Sequence, residues 1–268
     1  MVTKVAGNRA PLPAALCETA RMSELTVLGS CGAWPEPGRA CAGFLLVHEG
    51  FRLVLDLGYG VASRLFEHCP GGRVDAVVVT HEHPDHCADV SALGRARAYG
   101  LPDEPRIPLH CTPGTVRRLE ALEPRPHPTT IFDVFDLGPP REVGPFRMTT
   151  FLLPHHVPNY GVRLTAPGLT VAYTGDSGPS PILAELGRDA DLLIADATLQ
   201  GPSPEETPRL VSTASEAGYW AERGGARRLL LTHFWPGSDR EVSVAEAREE
   251  FSGEVLAAEE GTHVRLAG

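Results

Sequence analysis

Residues 74–86 read VDAVVVTHEHPDH, and this stretch decides how the chain folds and what its site contains. The run over residues 74–80 is apolar and rich in β-branched side chains, which is typical of a buried strand. Three imidazoles and one carboxylate follow, and they belong to His81, His83, Asp85 and His86. Imidazole together with carboxylate suits Zn²⁺ and similar metals. The pattern predicts a metal site at the end of a buried strand, with a solvated histidine-rich loop as the alternative.

The spacing inside this motif indicates two metal ions. His81 and His83 are two residues apart in extended chain, so their side chains can point to one side. Asp85 and His86 turn the corner toward a second position. Four ligand groups are more than one catalytic metal with an open position usually takes from so short a segment. We therefore expect a dinuclear site.

Composition and charge restrict the classes of partner. The 268 residues are 42% hydrophobic and 22% charged, which is ordinary for a soluble globular protein, and the formal net charge is −10. Lys4 is the only lysine. A polyanion such as tRNA or DNA is normally bound by a basic patch, and none is visible. No apolar stretch reaches the roughly 20 residues that span a bilayer. We expect a small-molecule substrate, no nucleic acid and no membrane.

The N-terminus and the cysteines bear on domain organisation and compartment. Residues 1–22 contain no continuous apolar core like that of a secretory signal, and we expect a disordered leader before a single domain over residues 23–268. The six cysteines are scattered without a CxxC pair, which fits a reducing compartment and a cytoplasmic location. Cys87 adjoins the metal motif and is either a ligand or a small buried hydrophobe.

The order of predicted elements indicates two mixed halves of strands and helices. Predicted strands cover residues 25–28, 44–47, 52–57, 74–80, 107–111, 131–137, 146–153, 161–165, 170–174, 192–195 and 228–232. Predicted helices cover residues 61–68, 89–99, 112–122, 180–186, 213–223 and 242–251. Two sheets packed face to face with helices outside would accommodate this order.

Further metal-binding side chains follow other apolar runs. His155 comes after the strand predicted over residues 146–153, Asp176 follows another such run, and His233 a third. Taken alone, Asp176 reads as a turn or helix-cap carboxylate, and His233 as a core histidine. Their shared position at strand ends, beside the motif at residues 81–86, favours ligand roles. His156, the neighbour of His155, competes with it for one place.

The set His81-x-His83-x-Asp85-His86, His155, Asp176 and His233 resembles the ligand signature of the metallo-β-lactamase superfamily. The resemblance runs from Leu25 to His263 and implies a four-layer αββα sandwich. It also implies two divalent metal ions, with Zn²⁺ first and Mn²⁺ or iron as alternatives. In the implied arrangement one metal is held by His81, His83 and His155, the other by Asp85, His86 and His233, and Asp176 bridges them.

Three shorter motifs resemble the ribonuclease Z and small-phosphodiesterase branch of that superfamily. Residues 28–32, LGSCG, with Arg39 and Gly43 after them, resemble its opening, and residues 195–198, ADAT, resemble its His-Glu-Ala-Thr segment. Residues 157–163 resemble the end of the His-x5-Gly-Tyr-Arg stretch of the phosphodiesterase branch. Counting back from Gly161 to the histidine of that pattern selects His155 over His156.

Departures from the tRNA-processing pattern narrow the expected reaction. Only 20 residues separate His155 from Asp176, where that family carries a flexible arm, and Val211 and Asp196 stand where it has a histidine and a glutamate. We expect a phosphodiesterase for a small substrate, such as the 3′,5′-cyclic nucleotide cyclic AMP. The alternatives are a tRNA 3′-processing endonuclease, a carboxylic ester, thioester or lactam hydrolase, and a metal-binding protein without catalysis.

The resemblance also assigns roles within the expected reaction, in which a hydroxide held between two metals attacks phosphorus. Asp85 would orient the nucleophile as well as bind metal. Asp196 would orient a ligand histidine, or else cap a turn. Four aromatic residues near the predicted turns form either a wall for a base or part of the core, and they are Trp34, Tyr160, Phe234 and Trp235. A homodimer is expected only by analogy with that branch.

Overall fold

The computed structural model describes residues 23–203 and 208–266, and the leader predicted over residues 1–22 lies outside them. Fourteen strands are present in this part of the chain. They are β1 Ser23–Gly29, β2 Gly43–His48, β3 Phe51–Leu57, β4 Ala76–Val78, β5 Ile107–Cys111, β6 Phe132–Asp136, β7 Arg141–Val143, β8 Phe146–Leu153, β9 Asn159–Ala166, β10 Leu169–Tyr173, β11 Leu192–Asp196, β12 Arg228–Thr232, β13 Glu254–Ala257 and β14 His263–Leu266.

Two seven-stranded sheets contain all of these strands. The first has the order β14-β1-β2-β3-β4-β5-β6 and the second β13-β12-β11-β10-β9-β8-β7. Strands β3 to β6 pair in parallel, with Leu55 opposite Val78 and Val78 opposite His110. Strands β10 to β13 are parallel as well. Within each parallel set the carboxyl ends of the strands therefore share one edge of the sheet.

Seven α-helices are present in the described part of the chain, and six of them cover the outer faces of the sheets. They are α1 Val61–His68, α2 Pro84–Cys87, α3 Val90–Gly100, α4 Pro113–Leu122, α5 Ile182–Leu186, α6 Ala214–Gly224 and α7 Arg240–Glu250. Helices α1, α3 and α4 bury side chains against one face of the first sheet, and α5 to α7 pack on the second. The predicted four-layer αββα sandwich is confirmed.

Alternation along the strands divides the core into two parts. In β3, Leu53 and Leu55 face the second sheet, while Val54 between them packs in the cluster under the helices. The sheets meet at Phe44 and Tyr173, whose ring centroids are 5.4 Å apart. Because Tyr173 ends β10, this contact fixes the second sheet against the first close to the edge where the ligands lie.

The sequence prediction differs from the structure mainly at short strands. The strand predicted over residues 74–80 is regular only at Ala76–Val78, and β7, β13 and β14 were not predicted. Strands β13 and β14 have four residues each, and their exposed positions are polar. Strand β14 pairs with β1 at the other end of the described residues, and β13 pairs with β12 across helix α7, so no local pattern identifies them. Among the described residues no helix is long and apolar enough to cross a membrane.

Candidate metal centre

Five strand ends converge on one cluster of side chains. Strands β4, β8, β10 and β12 end just before the histidines and aspartates that the sequence singles out, and β3 brings Asp56, its next-to-last residue, beside them. After β4 the chain is extended at His83, and Pro84 then starts α2, a position where proline has no amide to lose. This short helix carries Asp85 and His86 into the cluster. The structure thus brings all seven predicted ligands together.

The first group of ligand atoms belongs to His81, His83, His155 and Asp176. His83 Nδ1 lies 3.0 Å from Nε2 of both His81 and His155. Asp176 Oδ2 lies 3.8 Å from His81 Nε2 and 3.6 Å from His155 Nε2. Ligand atoms about 2.0–2.1 Å from a tetrahedral Zn²⁺ lie roughly 3.3 Å from each other, so these spacings suit one ion.

The second group belongs to Asp85, His86, His233 and again Asp176. His233 Nε2 lies 3.3 Å from Asp85 Oδ2 and 3.2 Å from Asp176 Oδ1. His86 Nε2 lies 3.1 Å from Asp176 Oδ1 and 3.7 Å from Asp85 Oδ2. The two oxygens of Asp176 therefore face different groups, which is the geometry of a bridging carboxylate.

Unpaired atoms in the centre show that the donor set fits metal ions. His86 Nε2 and Asp176 Oδ1 are buried and have no hydrogen-bond partner. A buried polar atom without a partner is unfavourable, and a bound cation would remove this cost for both. Nitrogen and carboxylate ligands in two overlapping groups of four match divalent metals such as Zn²⁺.

Asp56 positions a histidine of the second ligand group through a network of hydrogen bonds. Its carboxylate, fully buried, accepts hydrogen bonds from His86 Nδ1 at 2.7 Å, the Tyr173 hydroxyl at 2.8 Å, and the amide and hydroxyl of Thr80 at 2.7 and 2.9 Å. Asp56 has a left-handed φ of 57°, which is uncommon for a residue with a Cβ. Four donors on one carboxylate fix the ring of His86 and leave its Nε2 directed into the centre.

Three of the other four ligand histidines are also oriented by their second nitrogen. His81 Nδ1 donates to Thr80 Oγ1 at 3.1 Å, and His155 Nδ1 donates to the Leu210 carbonyl at 2.8 Å. His233 Nδ1 donates to Thr198 Oγ1 at 2.8 Å. Each bond fixes a tautomer with a free nitrogen toward the metals, as ligand histidines require.

Asp196 lies behind His233 and outside the two ligand groups. Its Oδ1 accepts from the amide and hydroxyl of Thr198, and its Oδ2 from the amides of Ser177 and Ser212. Burial raises the pKa of this carboxyl to about 6. This placement supports the predicted orienting role, through Thr198, and gives Asp196 no contact with the ligand atoms.

Electrostatics divide the histidines between the two groups. Burial lowers the pKa of His81, His83 and His155, so their imidazoles are neutral near pH 7, which is the metal-binding form. Burial alone would also lower the pKa of His86 and His233. The carboxylates around them, Asp176 foremost, outweigh this effect and raise the pKa of both. The histidines of the second group are therefore more strongly surrounded by carboxylates than those of the first.

Three other residues of the motif region do not supply ligands. His156 is exposed, with its ring centroid 6.3 Å from that of His83. Glu82 turns away, and its carboxylate lies 3.9 and 3.8 Å from Arg117 and Arg118. Cys87 is buried, and its thiol donates to the Glu82 carbonyl at 3.5 Å. The structure therefore favours the buried interpretation of Cys87 and places His155, not His156, in the centre.

Sequence reasoning missed the residues that position the ligands. Asp56, Tyr173 and Thr198 were not singled out. Asp56 left a signal, because it is a carboxylate inside the apolar strand RLVLDL at residues 52–57. A charged residue in such a run needs a buried partner. Tyr173 left no such signal, since a tyrosine in a strand is ordinary, and Thr198 lay inside the segment ADAT at residues 195–198 without a role assigned to it.

An αββα sandwich with this ligand cluster at the edges of its sheets defines a metallo-hydrolase. A family model for the beta-lactamase superfamily domain matches residues 52–234. The chain belongs to the metallo-β-lactamase superfamily.

Relatives along nearly the whole chain support this assignment. The uncharacterized protein ML1173 of Mycobacterium leprae is 36% identical over 249 residues, with 88% of this chain and 86% of that protein covered. YhfI of Bacillus subtilis, a probable metallo-hydrolase, is 32% identical over 241 residues, covering 89% and 98%. Ribonuclease Z of Haloferax volcanii is 26% identical over 300 residues, covering 90% and 94%.

Solved structures show the same fold. The metallo-beta-lactamase fold protein YhfI from Bacillus subtilis superposes with a TM-score of 0.82 at 30% identity, covering 91% of this chain and 99% of its own. The short form of human tRNase Z gives a TM-score of 0.75 at 23% identity, covering 91% and 100%. A diphosphatase from the PhnP family gives 0.68 at 22%, covering 91% and 98%.

Proposed function

We propose that this protein is a dinuclear metal-dependent phosphodiesterase that hydrolyses a small phosphodiester, with a 3′,5′-cyclic nucleotide such as cyclic AMP as the first candidate. The observation that carries the proposal is the division of the Asp176 carboxylate, with Oδ2 on one ligand group and Oδ1 on the other. Two adjacent cation sites suit a reaction in which negative charge must be balanced on both the attacking and the leaving oxygen.

The segment between His155 and Asp176 supports a small substrate. It consists of β9, a tight turn and β10, all packed in the second sheet. The sequence prediction of two strands and a turn is confirmed here. This stretch offers no arm that would contact a long nucleic acid, and the net charge of −10 opposes binding of a polyanion.

The metals and the protein contribute differently to the proposed reaction. When bound, two divalent ions would supply charge stabilisation at the phosphoryl oxygens and lower the pKa of a nearby water. His81, His83, His155, His86, His233, Asp85 and Asp176 would hold them. The carboxylate of Asp85 accepts an amide hydrogen bond from Ala33 at 2.7 Å through Oδ2. This bond leaves Oδ1 available to accept a proton from an attacking water and so to orient it.

The decisive experiment is hydrolysis of cyclic AMP and of bis(p-nitrophenyl) phosphate by Zn²⁺- or Mn²⁺-loaded protein. Metal-dependent turnover of cyclic AMP is expected, and Asp85→Ala should reduce it at least about 100-fold. Asp133→Ala, at an exposed carboxylate paired with Arg106, is the matched control and should leave it unchanged. Absence of metal-dependent turnover of either substrate would refute the proposal.

A second candidate is a tRNA 3′-processing endonuclease, favoured by the 26% identity to ribonuclease Z of Haloferax volcanii over 90% of this chain. It predicts site-specific cleavage of precursor tRNA at a rate that exceeds hydrolysis of cyclic AMP. The two assays run on the same metal-loaded preparation, with Asp85→Ala as the common negative control, separate the candidates.

A further inference from the structure

Two exposed tryptophans form a rim beside the metal centre. The side chains of Trp34 and Trp235 are 47% and 46% exposed, although tryptophan is highly buried in most proteins. Their ring centroids are 4.9 Å apart and the ring planes meet at 83°. Two adjacent indoles in solvent form an apolar surface whose exposure needs a functional reason.

Short connections tie this pair to the metal ligands. The amide of Ala33, the residue before Trp34, donates at 2.7 Å to Asp85 Oδ2. Trp235 is two residues after the ligand His233, and two residues span at most about 7 Å. Both indoles therefore stand on backbone that directly adjoins the second ligand group.

Close packing makes the rim rigid. The amide of Gly32 donates to the Phe234 carbonyl at 2.9 Å, and Gly237 donates to Glu36 Oε1 at 2.9 Å. A Cβ at Gly32 would lie 2.7 Å from the ring of His233, so only glycine allows this approach. Hydrogen bonds thus connect the two loops that carry the tryptophans at both ends.

The other aromatic candidates near the centre are differently placed. Phe234 is 1% exposed and packs in the core, with the guanidinium of Arg240 over its ring at 4.7 Å. Tyr160 is half-buried and packs against the inter-sheet core. Of the four aromatic residues that the sequence offered as a wall for a base, Trp34 and Trp235 are the exposed ones.

We propose that the Trp34–Trp235 pair binds the aromatic base of the substrate, which makes the substrate class nucleoside phosphodiesters rather than sugar or glycerol phosphodiesters. In an edge-to-face pair one indole presents an edge to the other and keeps its own faces open, so a flat ring can stack on it. The base rests on the rim while the phosphodiester reaches the adjoining metal centre. The inference rests on the proposed phosphodiesterase function for the phosphate half of the substrate.

Binding of a product tests this inference without turnover. Adenosine 5′-monophosphate and ribose 5-phosphate share the phosphate and the sugar but differ in the base. We expect the monophosphate to quench tryptophan fluorescence, and ribose 5-phosphate to leave it unchanged. The chain has a third tryptophan, Trp220, which packs against the core and gives the residual signal.

Variants assign the effect to the pair. Trp34→Leu and Trp235→Leu should each weaken adenosine 5′-monophosphate binding about tenfold in calorimetry, as loss of one stacked base does, without changing the affinity for ribose 5-phosphate. Trp34→Phe should retain most of the affinity, since phenylalanine still stacks. Tyr99→Leu, at an aromatic residue that is 66% exposed on α3, is the matched control and should bind like the wild type.

Steady-state kinetics give an independent readout. For cyclic AMP the leucine variants should raise KM about tenfold with kcat largely retained, because the base is far from the reacting bonds. For glycerophosphocholine, a phosphodiester without an aromatic ring, kcat/KM should be well below that for cyclic AMP in the wild type and should be unchanged in the leucine variants. Equal weakening for both ligands, or no weakening for the monophosphate, overturns the inference.

Two further outcomes separate the possibilities. If the protein does not hydrolyse cyclic AMP but its binding of the monophosphate depends on Trp34 and Trp235, the proposed function fails while the base site stands. If the leucine variants change only the elution volume in size-exclusion chromatography and not the affinity for the monophosphate, the pair is a contact between two copies of this chain. That result would refute the base site.

Discussion

His86 Nδ1 donates a 2.7 Å hydrogen bond to Asp56 Oδ2, and the opposite nitrogen of the same ring points at the carboxylate of Asp176 at 3.1 Å. One buried carboxylate on β3 therefore decides which nitrogen of a ligand on α2 is free to bind metal. Asp56 also receives the hydroxyl of Tyr173 from the second sheet. The relationship links both sheets to the geometry of one ligand ring.

Asp56→Asn should weaken metal binding about 10- to 100-fold, as loss of an outer partner of a ligand histidine typically does. The NH2 of asparagine would replace one carboxylate oxygen and would face donors of His86, Thr80 and Tyr173 in place of an acceptor. The measurement is competition for Zn²⁺ against a chromophoric chelator, with circular dichroism to verify the fold. Asp75→Asn is a useful comparison, since Asp75 accepts only the Arg52 amide at an exposed position. An unchanged Zn²⁺ affinity in Asp56→Asn would contradict the orienting role.

Sequence alone predicted the elements of the layers and the ligand cluster, because both depend on patterns within short segments. Each of His81, His155, Asp176 and His233 follows an apolar strand closely, and parallel strands bring their carboxyl ends to one edge. The motif at residues 81–86 then indicates metal binding. The resemblance to the metallo-β-lactamase superfamily added the four-layer arrangement and the division of the ligands between two positions.

The remainder depends on contacts between distant segments. The bond from Thr198 to His233 spans 35 residues, and that from Tyr173 to Asp56 spans 117. Strand β14 exists because it pairs with β1 at the opposite end of the described residues. The same holds for the rim, where Trp34 and Trp235 meet from opposite ends of the chain. A sequence pattern indicates only that such residues belong either to the core or to the site.

Single substitutions should separate the two cation positions. His155→Ala removes a ligand of the first group alone and His233→Ala one of the second group alone, so each variant should bind about one metal ion where the wild type binds two. Asp176→Ala should impair both positions. Inductively coupled plasma mass spectrometry after gel filtration measures the stoichiometry. His156→Ala is the matched control at the neighbouring exposed histidine and should bind as the wild type does; a loss of metal there instead of in His155→Ala would refute the assignment.

Removal of metal should lower thermal stability. Without cations, Asp85, Asp176 and the unpaired Nε2 of His86 are buried together without full compensation. A free metal concentration 100 times the dissociation constant stabilises by about 2.7 kcal/mol, which for a domain of this size corresponds to roughly 5–10 °C in Tm. Differential scanning fluorimetry with and without EDTA measures this shift. In Asp176→Ala the chelator should have little effect, and a shift of equal size there would show that EDTA acts elsewhere.

A histidine outside the metal centre should make the fold sensitive to acid. His110 at the end of β5 is 2% exposed, its Nδ1 has no hydrogen-bond partner, and its ring stacks on Phe135. Burial, reinforced by the charge of Arg141, lowers the pKa of His110 from 6.5 to about 4. The unfolded chain binds this proton more readily than the folded chain does. The contribution of His110 to the free energy of unfolding is therefore largest above pH 6.5 and is lost as the pH falls toward 4.

His110→Phe should remove this dependence while retaining the stacked ring. Between pH 7 and pH 4.5 the wild type should lose about 2 kcal/mol more free energy of unfolding than the variant, the amount that the shift of one group supplies. Urea denaturation at the two pH values, in EDTA so that the metal centre contributes equally to both proteins, measures the difference. His127→Phe, at an exposed histidine, should follow the wild type. If wild type and His110→Phe lose the same stability over this range, the proton is not excluded from His110 by the fold.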